Sequence, residues 1–296
     1  MHDSYVTELP DGRDLGWCEL GDPSGVPVIA FHGTPGSRLQ MAILDLPMQK
    51  AGVRFVCPDR PGYGLSTFQP SRRLLDWPHD VAYLADHIEI DRFALMGVSG
   101  GGPHAAACAA VLGDRVTALA IVSGVGPLSA SAAIKGMTRS NKIFTALLQR
   151  KSFVSRIIIT LGVDALCRWP ARALNFWLKH LPPSDAAILC RPDVRDMAEL
   201  DAARSPRSIG KSAAQDFELF ATDWGFDLGT IKVPVDIWQG SADLNVPPQH
   251  ARLLQAAIPG SVLHEIVGEG HFMIIDHIEE ISSVLKCGTK RSIDGS

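Results

Sequence analysis

The 296-residue sequence has no closely spaced cysteine pair, no long uninterrupted apolar run and no large excess of charge of either sign. Its six cysteines (Cys18, Cys57, Cys108, Cys167, Cys190 and Cys287) are scattered. Zinc sites and redox motifs need short spacings such as Cys-x-x-Cys, so no metal centre is expected, and a reduced, cytoplasmic protein is the default reading. A bilayer span needs about 18 or more apolar residues. The best candidate, 154–166, is broken by Arg156, Gly162 and Asp164, so stable membrane insertion is not expected. The opening Met1-His2-Asp3-Ser4 lacks the basic-then-apolar pattern of a signal segment. A net charge of −4 offers no electrostatic footprint for nucleic acid. Hydrophobic content of 46% with 20% charged residues is that of a globular chain with a large core.

The most informative stretch is Phe93 to Leu112. Phe93-Ala94-Leu95-Met96 reads as a short buried strand, Gly97-Val98-Ser99-Gly100-Gly101 as a sharp turn, and the Ala-rich segment from His104 to Leu112 as a helix. A serine at the tip of so tight a strand-to-helix turn needs small neighbours, which Gly97 and Gly101 supply. Its hydroxyl is pushed clear of the sheet, and the N–H of Gly100 lies at a helix N-terminus, where negative charge is favoured. This strand–turn–helix around Gly-x-Ser-x-Gly resembles the α/β-hydrolase superfamily.

Elsewhere short apolar strands alternate with helices. Val6–Leu9 and Asp14–Leu20 form a hairpin about Asp11-Gly12. Strands follow at Pro27–Phe31, Arg54–Pro58, Val116–Gly124, Val233–Gly240 and Ser261–Val267. Helices are expected over Ser37–Gly52, Leu74–Ile90, Pro248–Ala257 and Ile274–Leu285, with a polar, frayed tail from Cys287. The alternation predicts an α/β fold, a mostly parallel, doubly wound sheet with helices on both faces.

From 125 to 222 the pattern changes to helix-like segments alone: Ser131–Leu148, Val154–Trp169, Ala171–Leu181, Asp193–Ala203 and Lys211–Phe220. These are separated by breaks at Trp169-Pro170, Pro182-Pro183, Arg191-Pro192 and Ser205-Pro206. The expected organisation is a core of 1–124 and 223–296 with an inserted helical cap, 125–222. The cap carries a net charge of +6 and the remainder −10. Solvated basic faces are the ordinary reading; docking of the two parts, attraction of an anionic substrate and contact with an acidic surface are alternatives. The cap's apolar residues, among them Phe153, Trp169 and Phe220, are expected to serve chiefly its own packing.

The superfamily resemblance extends to two loops. His32-Gly33-Thr34-Pro35-Gly36 ends a strand where the family places an oxyanion loop, which implies the backbone N–H groups of Thr34 and Gly100 as the oxyanion hole. Asp59-Arg60-Pro61-Gly62-Tyr63-Gly64-Leu65-Ser66 matches a loop that is structural in the family, and ion pairing is the expected role of Asp59 and Arg60. A serine is a poor nucleophile until a histidine takes its proton and an acid fixes that ring. The order in this fold is Ser, acid, His, each after a strand. Ser99, Asp243 and His271 meet that order. His32, His104, His264 and His277 do not fit it, nor do Asp227 and Asp236; Glu269 could bond or tune His271, but an exposed loop carboxylate is its expected role. The strand ending at Ser123 brings no carboxylate with it.

The implied function is cleavage of a carboxylic ester on a small-molecule substrate, without a cofactor, through an acyl-enzyme on Ser99. The loops also look somewhat like those of proline iminopeptidase relatives, although a net basic cap suits a substrate ammonium poorly. Amidase, aminopeptidase, carbon–carbon bond hydrolase and perhydrolase chemistry, or a non-catalytic binding role, are the alternatives on the same fold.

Overall fold

In the computed structural model, residues 4–128, 139–150, 152–206 and 209–294 are described. Eight strands form one sheet: β1 (Ser4–Glu8), β2 (Asp14–Gly21), β3 (Val26–Phe31), β4 (Val53–Pro58), β5 (Phe93–Val98), β6 (Val116–Val122), β7 (Val235–Gly240) and β8 (Val262–Ile266). Their order is β1-β2-β4-β3-β5-β6-β7-β8. The β1/β2 and β2/β4 pairs are antiparallel and every later pair is parallel. The expected α/β class and doubly wound sheet are observed.

Strand periodicity explains the two cores. Along β5, Phe93 and Leu95 face one side with α2 (Trp77–His87), α3 (Gly102–Val111) and α10 (Gln249–Ala257). Ala94 and Met96 face the other, with α1 (Asp45–Lys50) and α11 (Ile274–Asp294). Both faces are covered, which is why the parallel strands are almost wholly apolar. The chain leaves β3 toward β4 and returns to β5 on the opposite side of β3. The winding thus reverses at β3, and the carboxyl ends of β3 and β5 beside such a reversal are the usual ligand position in these sheets.

Between β6 and β7 run helices α4 (Arg139–Gln149), α5 (Phe153–Arg168), α6 (Pro170–Trp177), α7 (Pro183–Leu189), α8 (Pro192–Arg204) and α9 (Ile209–Ala221). Residues 131–138 of the first expected helix lie outside the described residues. Pro170, Pro183 and Pro192 each open a helix, where the missing N–H costs nothing.

Several expectations are corrected. The Ser37–Gly52 segment is a 3₁₀ helix, Arg38–Leu44, followed by α1; Ser37 caps it by accepting from the Leu39 N–H. The Leu74–Ile90 segment likewise begins as 3₁₀. The Ala171–Leu181 helix ends at Trp177. The break at Pro182-Pro183 is followed at once by α7, because Pro183 starts a helix there. The tail continues as helix to Asp294. Phe153 and Trp169 are 74% and 51% exposed, so neither is buried within the segment.

Candidate active site

The turn after β5 holds Ser99 at φ 53°, a left-handed conformation rare for a residue with a side chain. Close packing explains its neighbours. A Cβ on Gly97 would lie 2.7 Å from both the Ala105 Cβ and the Gly101 carbonyl oxygen. A Cβ on Gly100 would run into the side chain of Thr34 and come within 3.2 Å of Phe220. Thr34 and Gly100, from the ends of β3 and β5, are thus neighbours beside Ser99.

Asp243 and His271 come from the loops after β7 and β8. His271 Nδ1 lies 2.8 Å from Asp243 Oδ2, and Asp243 is buried. With Nδ1–H donating to the carboxylate, Nε2 is the nitrogen left to accept a proton. Asp243 is fully used: Oδ1 accepts from the Asn245 and Val246 N–H groups at 2.8 and 2.9 Å, and Oδ2 also accepts from Gln239 Nε2 at 3.1 Å. The loop after β6 ties the other two pieces together. The Val125 N–H donates to the Ser99 carbonyl at 3.1 Å, and Ser123 Oγ donates to the His271 carbonyl at 3.1 Å.

The other histidines have separate occupations. His32 is buried, with Nδ1 2.8 Å from the Gly33 carbonyl and Nε2 accepting from the Arg60 N–H at 3.1 Å. Burial, reinforced by the Arg60 charge, pushes its pKa well down. His104 lies 3.1 Å from the Gly100 carbonyl; burial, then Arg60, lowers it to about 3. His264 sits 2.7 Å from Asp236, and His277 is 3.6 Å from Glu280.

Asp59 and Arg60 are ion-paired, but with different partners. Asp59 meets Arg38 at 2.5 Å, also accepting from the Arg38 and Leu65 N–H groups. Arg60 reaches the loop after β3, donating to the His32 and Gly33 carbonyls and to Thr34 Oγ1. It then meets Asp216 of α9 at 3.0 Å. Asp216 also pairs with Arg72 and accepts from Tyr63 and Thr34 at 2.8 and 2.9 Å. Burial pushes this carboxyl up, but Arg72 and Arg60 outweigh it and hold it well below the usual range.

Two more buried aspartates descend from the helical segment. Asp201 of α8 accepts from Ser37 Oγ, and burial raises its carboxyl to about 6. Asp185 of α7 accepts the N–H groups of His271 and Phe272, both at 2.9 Å. Sequence reasoning missed Gln239 and all three aspartates. Asp216 did leave a trace: it shares a helix face with the buried Ala213 and Phe220, where a charge is out of place unless paired. Pro183, as a helix opener, was the available sign of the helix that carries Asp185. No group of three or more metal-ligating side chains occurs among the described residues. No helix among them is long and apolar enough to cross a membrane.

The family model for the alpha/beta hydrolase fold matches residues 26–278. The chain belongs to the α/β-hydrolase family. This α/β hydrolase is 28% identical over 273 residues to haloalkane dehalogenase 2 of Mycobacterium bovis, covering 90% of the chain and 88% of that protein. It is 34% identical over 116 residues to the dihydrolipoyllysine-residue acetyltransferase component of an acetoin cleaving system from Pseudomonas putida. That match covers 39% of this chain and only 31% of the larger relative. Among solved structures, bromoperoxidase from Bacillus anthracis superposes with a TM-score of 0.70 at 23% identity, over 97% of this chain and 100% of that one.

Proposed function

We propose that this α/β hydrolase cleaves a carboxylic ester through an acyl-enzyme on Ser99, with His271 as base and Asp243 as its orienting acid. The observation that carries the reading is the buried His271–Asp243 pair, 2.8 Å apart, at the sheet edge that also presents Ser99 in its strained turn. His271 takes the Ser99 proton as the oxygen attacks the carbonyl carbon, and Asp243 stabilises the imidazolium. The backbone N–H groups of Thr34 and Gly100 receive the oxyanion, each donor lowering the barrier by about 3 kcal/mol. His271 then protonates the departing alcohol, and water activated by the same ring releases the acid. Residues 125–222 act as the cap over a core of 1–124 and 223–296.

The dehalogenase chemistry named for the mycobacterial relative is not carried over to this chain, whose nucleophile in this reading is Ser99. Aminopeptidase specificity is disfavoured for a different reason than net charge. Asp216 is neutralised by two guanidinium groups, and both oxygens of Asp185 are filled by backbone N–H groups, so neither is open to a substrate ammonium.

The test is turnover of p-nitrophenyl butyrate with fluorophosphonate labelling. Ser99→Ala is expected to lose at least about 10³-fold in kcat and all labelling. A wild-type protein that is not labelled at Ser99 sinks the acyl-enzyme.

A further inference from the structure

We propose that Asp185 of α7 is a positioning residue for His271, holding the base in place from the helical segment. The inference rests on the triad reading above and deepens it.

The loop that carries His271 leaves a short edge strand and is exposed where it starts, Val267 being 89% accessible. Its first turns are pinned by the Gly268 N–H donating to Ser241 Oγ at 2.9 Å and the Ala242 N–H donating to the Glu269 carbonyl at 2.8 Å. Neither bond fixes the peptide of His271. That peptide is gripped at both ends by other means: its carbonyl by Ser123 Oγ and its N–H by Asp185 Oδ2. The second oxygen, Oδ1, takes the next N–H, that of Phe272. Two successive N–H groups on one carboxylate fix the rotation of the intervening peptide, and with it the direction in which the His271 side chain leaves the backbone.

Burial makes the grip firm. Asp185 is 0% exposed, and among the described residues no Lys, Arg or His forms an ion pair with it. Its charge is met by backbone N–H dipoles at the entry to α11, where an anion is favoured. The loop is shaped to receive it: a Cβ on Gly270 would collide with the Asp185 carboxylate. α7 itself packs through Ile188 and Leu189 into a cluster that Phe272 and Ile275 join, so the aspartate is carried on a seated helix.

An amide cannot substitute. Asn at this position has one acceptor, and its NH₂ would face a second N–H donor. A loop shift on the order of 1 Å at a catalytic group costs roughly 10²-fold in rate. Asp185→Asn is therefore expected to lower kcat for p-nitrophenyl butyrate by about 10- to 100-fold with KM nearly unchanged. Gly270→Ala, which displaces the carboxylate from the loop side, should do the same and serves if Asp185→Asn does not fold. The deciding measurement repeats whichever variant folds in a His271→Ala background. There it should leave the residual rate unchanged, since no base remains to be aimed. An equal loss in both backgrounds, or a change in KM alone, overturns the proposal. A His271→Ala enzyme with the wild-type rate removes the triad reading and this proposal with it.

Discussion

On the sheet side, the residues that shape the turn at Ser99 are small and uncharged: Gly97, Gly100, Gly101 and Ala105 allow β5 and α3 to meet closely enough to bend the chain there. On the helical side, the residues that reach the same strand ends are buried aspartates. Asp216 goes to the loop after β3, Asp201 to Ser37 just beyond that loop, and Asp185 to the loop after β8. The segment is net basic, yet it docks through its acids, because its basic groups such as Arg156 and Arg191 remain substantially exposed. Net charge describes the solvated face of a helix, whereas docking is set by the few charges that face inward.

The contrast is broken or upheld most sharply at Asp216. Replacing it by alanine leaves Arg60 and Arg72 buried without their carboxylate, which should cost about 3–5 kcal/mol in urea unfolding. It should also loosen Thr34, whose hydroxyl donates to Asp216. A variant as stable as the parent would mean that the ion pairs do not join the two regions.

Gly97→Ala tests the uncharged side and should have a smaller effect. The new methyl must displace Ala105 or the Gly101 carbonyl, an overpacking cost of about 1–3 kcal/mol. The loss should be accompanied by slower fluorophosphonate labelling of Ser99, because the turn itself moves. If Gly97→Ala destabilises more than Asp216→Ala, steric fit rather than buried charge dominates at the strand ends.

These two sides also differ in how far they could be read from the sequence. A strained serine turn demands small residues within two positions, and an acid and a histidine demand strand ends, so Ser99, Asp243 and His271 are signalled by nearby residues. The aspartates are signalled by partners far along the chain. Asp216 and Asp185 meet Arg60 and His271, 156 and 86 residues away. A charge on a helix ordinarily faces water, and nothing local to Asp185 contradicts that default. The 3₁₀ start at Arg38 escaped for a similar reason: the Arg38 side chain turns inward to Asp59, 21 residues later.

Asp201 gives the comparison a pH dependence. Burial raises its carboxyl from the ordinary 3.8 to about 6, so the folded chain holds a proton there that the unfolded chain releases. Between those values the folded state binds more protons, and this group's contribution to stability falls as pH rises through the window and stays low above it. Asp201→Asn keeps an acceptor for Ser37 Oγ and abolishes that fall. It should match the parent near pH 4 and exceed it by ~2 kcal/mol at pH 7.5 in parallel denaturant titrations. A variant less stable than the parent at pH 7.5 would show that the ionised form is the one the fold favours.

The smallest effect should come from the pair that most resembles the Asp216 contacts on paper. Arg191, at the start of α8, meets Asp276 of α11 at 2.8 Å and so also bridges the helical segment and the sheet layer. Its side chains are 40% and 49% exposed, and Arg191 shares itself with Asp193 at 3.1 Å. Water solvates both ions before and after the bond breaks, and holding two long side chains in one geometry costs entropy. Arg191→Ala should therefore change stability by no more than about 0.5 kcal/mol and leave p-nitrophenyl butyrate turnover untouched. The chemistry of the bond is the same as at Arg60–Asp216; the solvent around it is different. A loss near that of Asp216→Ala would make bond count, rather than burial, the measure of what joins the two regions.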